Sequence, residues 1–328
     1  MTTLSRLRVD LLLLVVAASW GSTYLATKQL VTPSSVLALL AARMLLAAVI
    51  MGGTVAVARR RSRSGGRPAR REVRVGVILG VLLAAVFACE TFGVAHTSAT
   101  NAGLIISLTV VFTPILESIV TGCRLPGSFF VAALVAVAGV ALLAGVGAFQ
   151  TPSVGDGLIL AAAVIRAVHV VTMHGLTEGD PGRAPLDSGV LTTVQLGTCA
   201  VLFCVASSVS GQSVPSYVAG FGVAQWLLFG YLVVVCTVFA FFVQMWAVRR
   251  TSPARVSLLL GTEPLWATAI GVGIAQEGLD LAGWCGVLLV LAGTFWGRRI
   301  EQRHREGHDG GFSARSERPD AVEPSRLS

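Results

Sequence analysis

The chain has 328 residues, of which 54% are hydrophobic and only 13% are charged, with a formal net charge of +8 and a mean hydropathy of +0.76. A soluble domain of this length carries about 25% charged residues. The composition therefore excludes a water-soluble globular body, and most of the chain is expected to lie in lipid.

Ten apolar windows follow one another along the chain, and about 20 apolar residues suffice for a helix to cross a bilayer. The windows lie at about 9–28, 35–57, 74–95, 98–120, 127–148, 156–176, 188–210, 223–247, 254–275 and 280–297. The short connections predict one compact all-α bundle of ten transmembrane helices without a soluble domain. The remaining segment, residues 300–328, is polar and is predicted to be a disordered tail.

The basic residues are distributed unevenly between the two sides of this predicted bundle. Eight arginines lie in the gap at 59–74, and most of the others lie before the first window, in gaps on the same side, or in the tail. Only Lys28 falls in a gap on the opposite side. The positive-inside rule therefore predicts a multi-pass protein of the cell membrane with both termini in the cytoplasm. We expect the arginine-rich loop to bind anionic lipid rather than nucleic acid.

The sequence carries none of the common motifs of catalysis or cofactor binding. The six cysteines are scattered through apolar windows without a CxxC or Cys/His cluster, which predicts core residues rather than metal ligands. The sequence contains no P-loop, no HExxH and no GxSxG. We therefore expect no cofactor, no metal and no enzymatic activity.

An internal repeat relates the two halves at an offset of 154 residues. "HTSATNAGLIISLTVVF", from His96, aligns without a gap with "RTSPARVSLLLGTEPLW", from Arg250, and the same offset places Phe87 on Phe241. The predicted units are residues 1–148 and 149–299. Because each unit holds an odd number of helices, the second enters the membrane from the other side, which is typical of alternating-access transporters.

Several segments resemble the EamA-type members of the drug/metabolite transporter superfamily. They are "SWGSTYLATK", "LLAARMLLAAVI", "TSATNAGLIISLT", and "TSPARVSLLLGTEPLWATAIG" followed by "GWCGVLLVLAGTFW". The resemblance covers roughly residues 9–299 and implies ten helices in two inverted repeats and export of small metabolites or drugs. The chain departs from the family at Val110, where a proline is often found, and at Arg166, where an aromatic residue is common.

Four ionisable residues fall deep in the apolar windows, where each costs a few kcal/mol to insert. Glu263 precedes Pro264, which removes a backbone donor and predicts a bend that faces a cavity. Arg43 and Glu90 match in approximate depth, as do Arg166 and Glu263. Two interpretations stay open: structural ion pairs, or a cavity that binds a zwitterionic or polar substrate.

Further polar and aromatic residues complete the predicted substrate cavity. Trp20, Gly21 and Tyr24 lie midway through the first window, and His169 follows Arg166 by one helical turn. Gln195 is a further interior hydrogen-bonding residue, and Gln244 is the repeat partner of Glu90. For Trp20, Gly21, Tyr24 and His169, packing inside the bundle is the alternative. Glu117 and Arg255, near helix ends, are expected to reach the membrane interface.

These observations predict a secondary active transporter, acting as an exporter of a small-molecule substrate by alternating access, with proton coupling through Glu263 as one hypothesis. The alternatives are a membrane-embedded enzyme that modifies lipid, which would need a nucleophile or metal near an interface, and a membrane scaffold without transport. The scaffold would leave the deep charges unexplained. The oligomeric state is open, with a homodimer among the alternatives.

Overall fold

The computed structural model describes residues 3–31, 34–61, 69–96, 105–122, 125–144, 153–177, 186–266, 269–270 and 281–316, and no strand is present among them. The helices are α1 (Thr3–Leu30), α2 (Val36–Arg61), α3 (Arg70–His96), α4 (Thr109–Thr121), α5 (Gly127–Ala144), α6 (Val154–Thr177), α7 (Ser188–Val209), α8 (Val214–Ala219), α9 (Val223–Val233), α10 (Ala240–Val248), α11 (Pro253–Leu260) and α12 (Leu281–Ser316). A π-helical segment, Val234–Phe239, joins α9 to α10.

Every predicted window contains helical residues. Within the described residues, five helices are long and apolar enough to cross a membrane, namely α2, α3, α6, α7 and the continuous stretch Val223–Val248. Shorter apolar stretches are found at Thr109–Thr121, Gly127–Gly139 and Leu281–Gly297. The chain is thus a multi-pass helical membrane protein, and length and composition support five of the ten predicted spans.

The last helix extends beyond the predicted final span. It continues to Ser316, so residues 300–316 are helical where their polar composition predicted disorder. A helix that is already formed in an apolar segment extends without a new nucleation step, and Glu301, Gln302 and Arg303 favour the first turn of this extension. The prediction of disorder is wrong for this stretch, while residues 317–328 lie outside the described part of the chain.

The contact between α5 and α12 is reciprocal. A Cβ atom added to Gly139 would lie 2.7 Å from the carbonyl oxygen of Gly286 and 2.7 Å from the backbone nitrogen of Val290. One added to Gly293 would lie 2.6 Å from the carbonyl oxygen of Ala132 and 2.6 Å from the nitrogen of Ala136. The contact residues of α5 each lie 154 positions before those of α12, namely Ala132 before Gly286, Ala136 before Val290 and Gly139 before Gly293. Glycine at both places therefore lets two equivalent backbones touch.

Close backbone contacts also join α3 to its neighbours. A Cβ atom at Gly80 would lie 2.5 Å from Cβ of Thr198 on α7, and one at Gly93 would lie 2.7 Å from Cδ1 of Ile159 on α6. The missing side chains allow α3 to pack closely between these two helices. This packing brings the side chains of α3 and α6 to the same interior space.

One end of the bundle carries a cluster of arginines, Arg59, Arg60, Arg61, Arg70 and Arg71, where α2 ends and α3 begins. We call it the arginine-rich end. Glu72 connects the start of α3 to the start of α7. Its carboxylate accepts hydrogen bonds from the backbone N–H groups of Ala69 and Asp187 at 2.9 Å each. Arg59 lies 3.7 Å from the same carboxylate.

The opposite end is held by hydrogen bonds between the short connection at 210–222 and the first two helices. The hydroxyl group of Tyr217 donates to the carbonyl oxygen of Leu30 at 2.7 Å, and burial raises the pKa of this hydroxyl to about 12. Gln212 accepts a hydrogen bond from the backbone N–H of Ala38 at 3.1 Å. The connection is therefore packed onto the bundle.

Candidate functional site

A cavity lies inside the bundle, where side chains from both halves of the chain meet. It is lined by Trp20, Thr23, Arg43, Leu83, Val86, Phe87, Glu90, Arg166, His169, Phe241, Gln244 and Glu263. Its free space is about 50 Å³, which is enough for a few water molecules and less than the roughly 300 Å³ at the low end of ligand pockets. The conformation is therefore nearly closed around the polar groups.

The π-helical segment positions the aromatic residue on α1. The indole N–H of Trp20 donates to the carbonyl oxygen of Cys236 at 3.1 Å, and the Cys236 thiol lies 3.3 Å from the carbonyl oxygen of Ser19. A π-helical turn changes the usual pairing of backbone carbonyls. Here the carbonyl oxygen of Cys236 accepts a hydrogen bond from the Trp20 side chain on α1.

Arg166 and Glu263 form an ion pair at the cavity, as their depth in the sequence suggested. Nη2 of Arg166 lies 3.8 Å from Oε2 of Glu263, and both side chains are largely buried. The guanidinium carbon of Arg166 also lies 4.4 Å from the centre of the Trp20 ring. A cation over an indole face is attracted by the ring quadrupole. These two contacts fix Arg166 between α1 and the segment after α11.

The backbone breaks immediately before Glu263. α11 ends at Leu260, residues 261–262 form a turn, and one helical turn follows at 263–266. Pro264 accounts for this break, because it lacks the N–H that would bond to the carbonyl oxygen of Leu260. The Thr262 hydroxyl donates to the carbonyl oxygen of Leu259 at 2.7 Å. The break thus places a buried carboxylate at the cavity.

Arg43 is held by the same π-helical segment that binds Trp20. Its Nε donates to Oγ1 of Thr237 at 2.7 Å, and Thr237 in turn donates to the carbonyl oxygen of Leu232 at 2.8 Å. The guanidinium carbon lies 5.4 Å from the centre of the Phe87 ring. Glu90 lines the same cavity and acts electrostatically on Arg43. The Thr237 hydroxyl, the Phe87 ring and the charge of Glu90 therefore all act on the Arg43 guanidinium.

Three buried polar atoms in or beside the cavity have no hydrogen-bond partner among the described residues. They are Nε2 of His169, Oε1 of Gln195 and Oε1 of Gln244. Each residue is only 1% exposed, and a buried polar atom without a partner costs about 1–3 kcal/mol. Such atoms are typical of sites that bind water or a ligand.

The structure brings together most of the predicted site residues. Trp20, Arg43, Glu90, Arg166, His169, Gln244 and Glu263 line the cavity. Gln195 is a side-chain neighbour of His169. Gly21 and Pro264 lie in the same segments but do not line the cavity, and the side chain of Tyr24 lies outside the described part of the chain.

Several lining residues were not predicted from the sequence, namely Thr23, Leu83, Val86, Phe87 and Phe241. Thr237, which binds Arg43, was not predicted either. The repeat contained a signal for two of them, because it aligns Phe87 with Phe241. In the structure these two rings lie 5.7 Å apart and both face the cavity. Nothing in the sequence indicated the role of Thr237, since a single threonine in an apolar helix is common.

The prediction that Glu117 and Arg255 reach the interface is wrong. Arg255 is buried and forms an ion pair with Asp10, and Glu117 accepts a hydrogen bond from the backbone N–H of Ala254 at 2.8 Å. Both side chains lie near helix ends but face another helix, which the position along the sequence could not reveal.

A family model described as the EamA-like transporter family matches residues 7–145 and again residues 153–297. A comparison with curated proteins gives no match. One solved structure, titled "Crystal structure of protein", is 19% identical, covers 90% of this chain and 98% of that chain, and superposes with a TM-score of 0.70. At this identity the likeness shows a shared fold.

Proposed function

The chain belongs to the EamA-like transporter family, and on that premise we propose that it is a secondary active transporter. It exports small metabolites or drugs across the cell membrane by alternating access. The observation that carries this proposal is the buried cavity at which Arg43, Arg166, Glu90 and Glu263 meet. Deep ionisable residues around a cavity are typical of transport pathways.

The proposed architecture is ten spanning helices in two inverted five-helix repeats. The reciprocal contact of Gly139 and Gly293 supports it, because equivalent residues meet across a pseudo-twofold axis. The meeting of Phe87 with its repeat counterpart Phe241 supports the same axis. An inverted repeat gives two related packings that expose a central site to one side and then to the other.

The proposed substrate is a small polar or zwitterionic compound with an apolar part. The two arginines and two glutamates provide charges of both signs, while Trp20, Phe87 and Phe241 provide ring surfaces. The acceptor atom of Gln244, which lines the cavity without a partner among the described residues, favours a ligand that donates hydrogen bonds. The cavity must widen to admit it, since its present free space is about 50 Å³.

The proposed orientation places both termini and the arginine-rich end in the cytoplasm. The eight arginines at 59–74 support it through the positive-inside rule. We propose that the same arginines contact anionic lipid headgroups.

The transport proposal predicts a change in the medium of cells that produce the protein. Untargeted mass spectrometry of spent medium should show at least one compound that rises relative to empty-vector cells. The same compound should leave proteoliposomes down an imposed gradient without chemical conversion. Conversion of the compound by the purified protein would favour the lipid-enzyme alternative, and an unchanged medium would contradict export.

Glu263→Gln tests whether this carboxylate couples proton movement to transport. The change keeps the shape and part of the hydrogen bonding but removes ionisation. We expect substrate exchange across the membrane to persist, while transport driven by a pH gradient falls at least about tenfold, because the amide of glutamine cannot take up and release the coupled proton. Pro264→Ala should reduce both activities, since it allows the helix to close over the break. Glu301→Gln, in the polar segment after α12's apolar part, serves as the matched control.

Transport driven by a pH gradient at the wild-type rate in Glu263→Gln would show that Glu263 does not couple proton movement to transport. The ion pair with Arg166 would then be a structural connection between α6 and the segment after α11.

A further inference from the structure

We propose that Asp10 and Arg255 form the gate that closes the central cavity toward the arginine-rich end. This inference rests on the proposed transport function, since a gate has meaning only if the cavity opens alternately to two sides. It assigns a role to an ion pair that does not line the cavity and that the transport proposal above does not use.

The pair has the geometry of a strong contact. Nε of Arg255 donates to Oδ1 of Asp10 at 3.0 Å, and Nη2 donates to Oδ2 at 2.8 Å. Two parallel hydrogen bonds between a guanidinium and a carboxylate combine charge with directional specificity. Both side chains are almost fully buried, at 8% and 5% exposure. Removing one partner would therefore leave a buried charge without its counterpart.

The pair connects the first helix of one half to α11 of the other. Five buried core residues lie between the pair and the cavity along these two helices, namely Leu13, Val16 and Ala17 on α1 and Val256 and Leu259 on α11. Trp20, at the cavity, lies ten residues along α1 from Asp10, a distance of about 15 Å at 1.5 Å per residue. Along both helices, the ion pair is therefore followed by apolar core residues before the cavity is reached.

α11 links this gate directly to the cavity. Arg255 lies in its first turn, and the helix ends at Leu260, just before the break that places Glu263 at the cavity. Glu117 on α4 holds the N-terminus of α11 through the backbone N–H of Ala254. A movement at Glu263 therefore reaches Arg255 through a single short helix.

The repeat gives the opposite end no equivalent pair of residues. The family matches begin at residues 7 and 153, which places Asp156 at the position equivalent to Asp10, while the offset of 154 places Asn101 at the position equivalent to Arg255. Asn101 carries no charge, so this position supplies no cation for a carboxylate. The ion pair therefore stabilises closure at the arginine-rich end without an equivalent stabilisation at the other end. A conformational equilibrium shifts toward the state that holds the extra contact, so the protein without substrate rests closed on the arginine-rich side.

Hydrogen–deuterium exchange on the full-length protein in lipid nanodiscs, without substrate, tests this proposal. In Asp10→Asn we expect the amides of residues 253–260 to exchange about tenfold faster than in the wild type. Amides at residues 210–222, at the opposite end, should keep their rate or exchange more slowly. Arg59→Gln is the matched control, because it removes an ion pair at the same end that does not join α1 to α11.

Two further variants separate a gate from a general loss of stability. Arg255→Lys keeps the charge and loses the two-bond geometry, so its exchange rate should be intermediate; it also replaces Asp10→Asn if that variant does not fold. Asp10→Asn combined with Arg255→Gln should change exchange less than the sum of the single changes. Additive effects, equal acceleration at both ends, or the same effect in Arg59→Gln would overturn the gate.

The exchange experiment needs no substrate, so its failure is distinguishable from a failure of the transport proposal. Unchanged exchange in an exporting protein would refute the gate alone, whereas a wild type without flux would count against transport itself.

Discussion

Residues 7–145 and 153–297 match the same family model, and they place Gly139 and Gly293 in equivalent contacts on α5 and α12. Their polar side chains do not correspond in the same way. Glu263 has Thr109 as its repeat counterpart, and Thr237 has Leu83. The backbone contact at these two glycines is therefore shared by the halves, while the charges and hydroxyl groups around the cavity are not.

The backbone contact at the glycines and the charges at the cavity have different requirements. The glycine contacts require the absence of a side chain, because a Cβ atom would meet a backbone atom of the other helix. The cavity requires particular charges at particular depths, and these can be supplied by either half. A symmetric scaffold thus holds an asymmetric site, with Arg43 from the first half and Arg166 from the second.

The largest expected effect comes from removing a cavity charge of the first half. Arg43→Ala should destabilise the protein by about 3–5 kcal/mol, because it removes the buried guanidinium that Glu90 acts on electrostatically and that Thr237 binds. Arg43→Ala combined with Glu90→Ala should recover part of that loss. Thermal unfolding in detergent measures both, and strictly additive losses would show that the two residues are not coupled.

Much of this arrangement could be predicted from the sequence, because its signals are strong and local. The offset of 154 aligned Phe87 with Phe241 and Glu90 with Gln244, and all four residues line one cavity. The matching depth of Arg166 and Glu263 suggested them as partners, since a charge deep in an apolar segment needs a partner, although depth alone did not establish the pair. These inferences need only helix geometry and the cost of burying charge.

The features that could not be predicted from the sequence depend mostly on contacts between segments that are far apart along the chain. Asp10 and Arg255 are 245 positions apart, and each lies near a helix end, where solvent exposure is the usual expectation. Thr237 acts on Arg43 only because a π-helical turn aims it there, and a single sequence does not reveal such a turn. The helical stretch to Ser316 was also missed, because polar composition is a poor guide where a helix simply continues.

The symmetry of the scaffold predicts equal sensitivity at its two glycines. Gly139→Ala and Gly293→Ala should each cost up to about 3 kcal/mol, because the added methyl group forces α5 and α12 apart. The double variant should cost less than the sum, since helices separated by the first methyl group already accommodate the second. The apparent melting temperature in detergent is the measurement.

Gly230→Ala is the control for these substitutions, because a Cβ atom added there would have no neighbour within 4 Å. It should leave the melting temperature unchanged or raise it slightly. A large loss in Gly139→Ala with none in Gly293→Ala would contradict the reciprocal contact, and with it the structural equivalence of the two halves.

The smallest expected effect concerns the hydroxyl group that distinguishes Thr237 from its counterpart Leu83. Thr237→Val keeps the side-chain shape but removes the acceptor for Nε of Arg43, and a lost hydrogen bond to a charged group costs about 1.5–3 kcal/mol. We expect a loss near the lower value, together with slower transport, because the guanidinium is no longer held at the cavity. Thr237→Ser should restore both, since it keeps the hydroxyl. If Thr237→Ser behaves like Thr237→Val, the methyl group rather than the hydrogen bond is what matters, and the polar difference between the halves at this position has no role in placing Arg43.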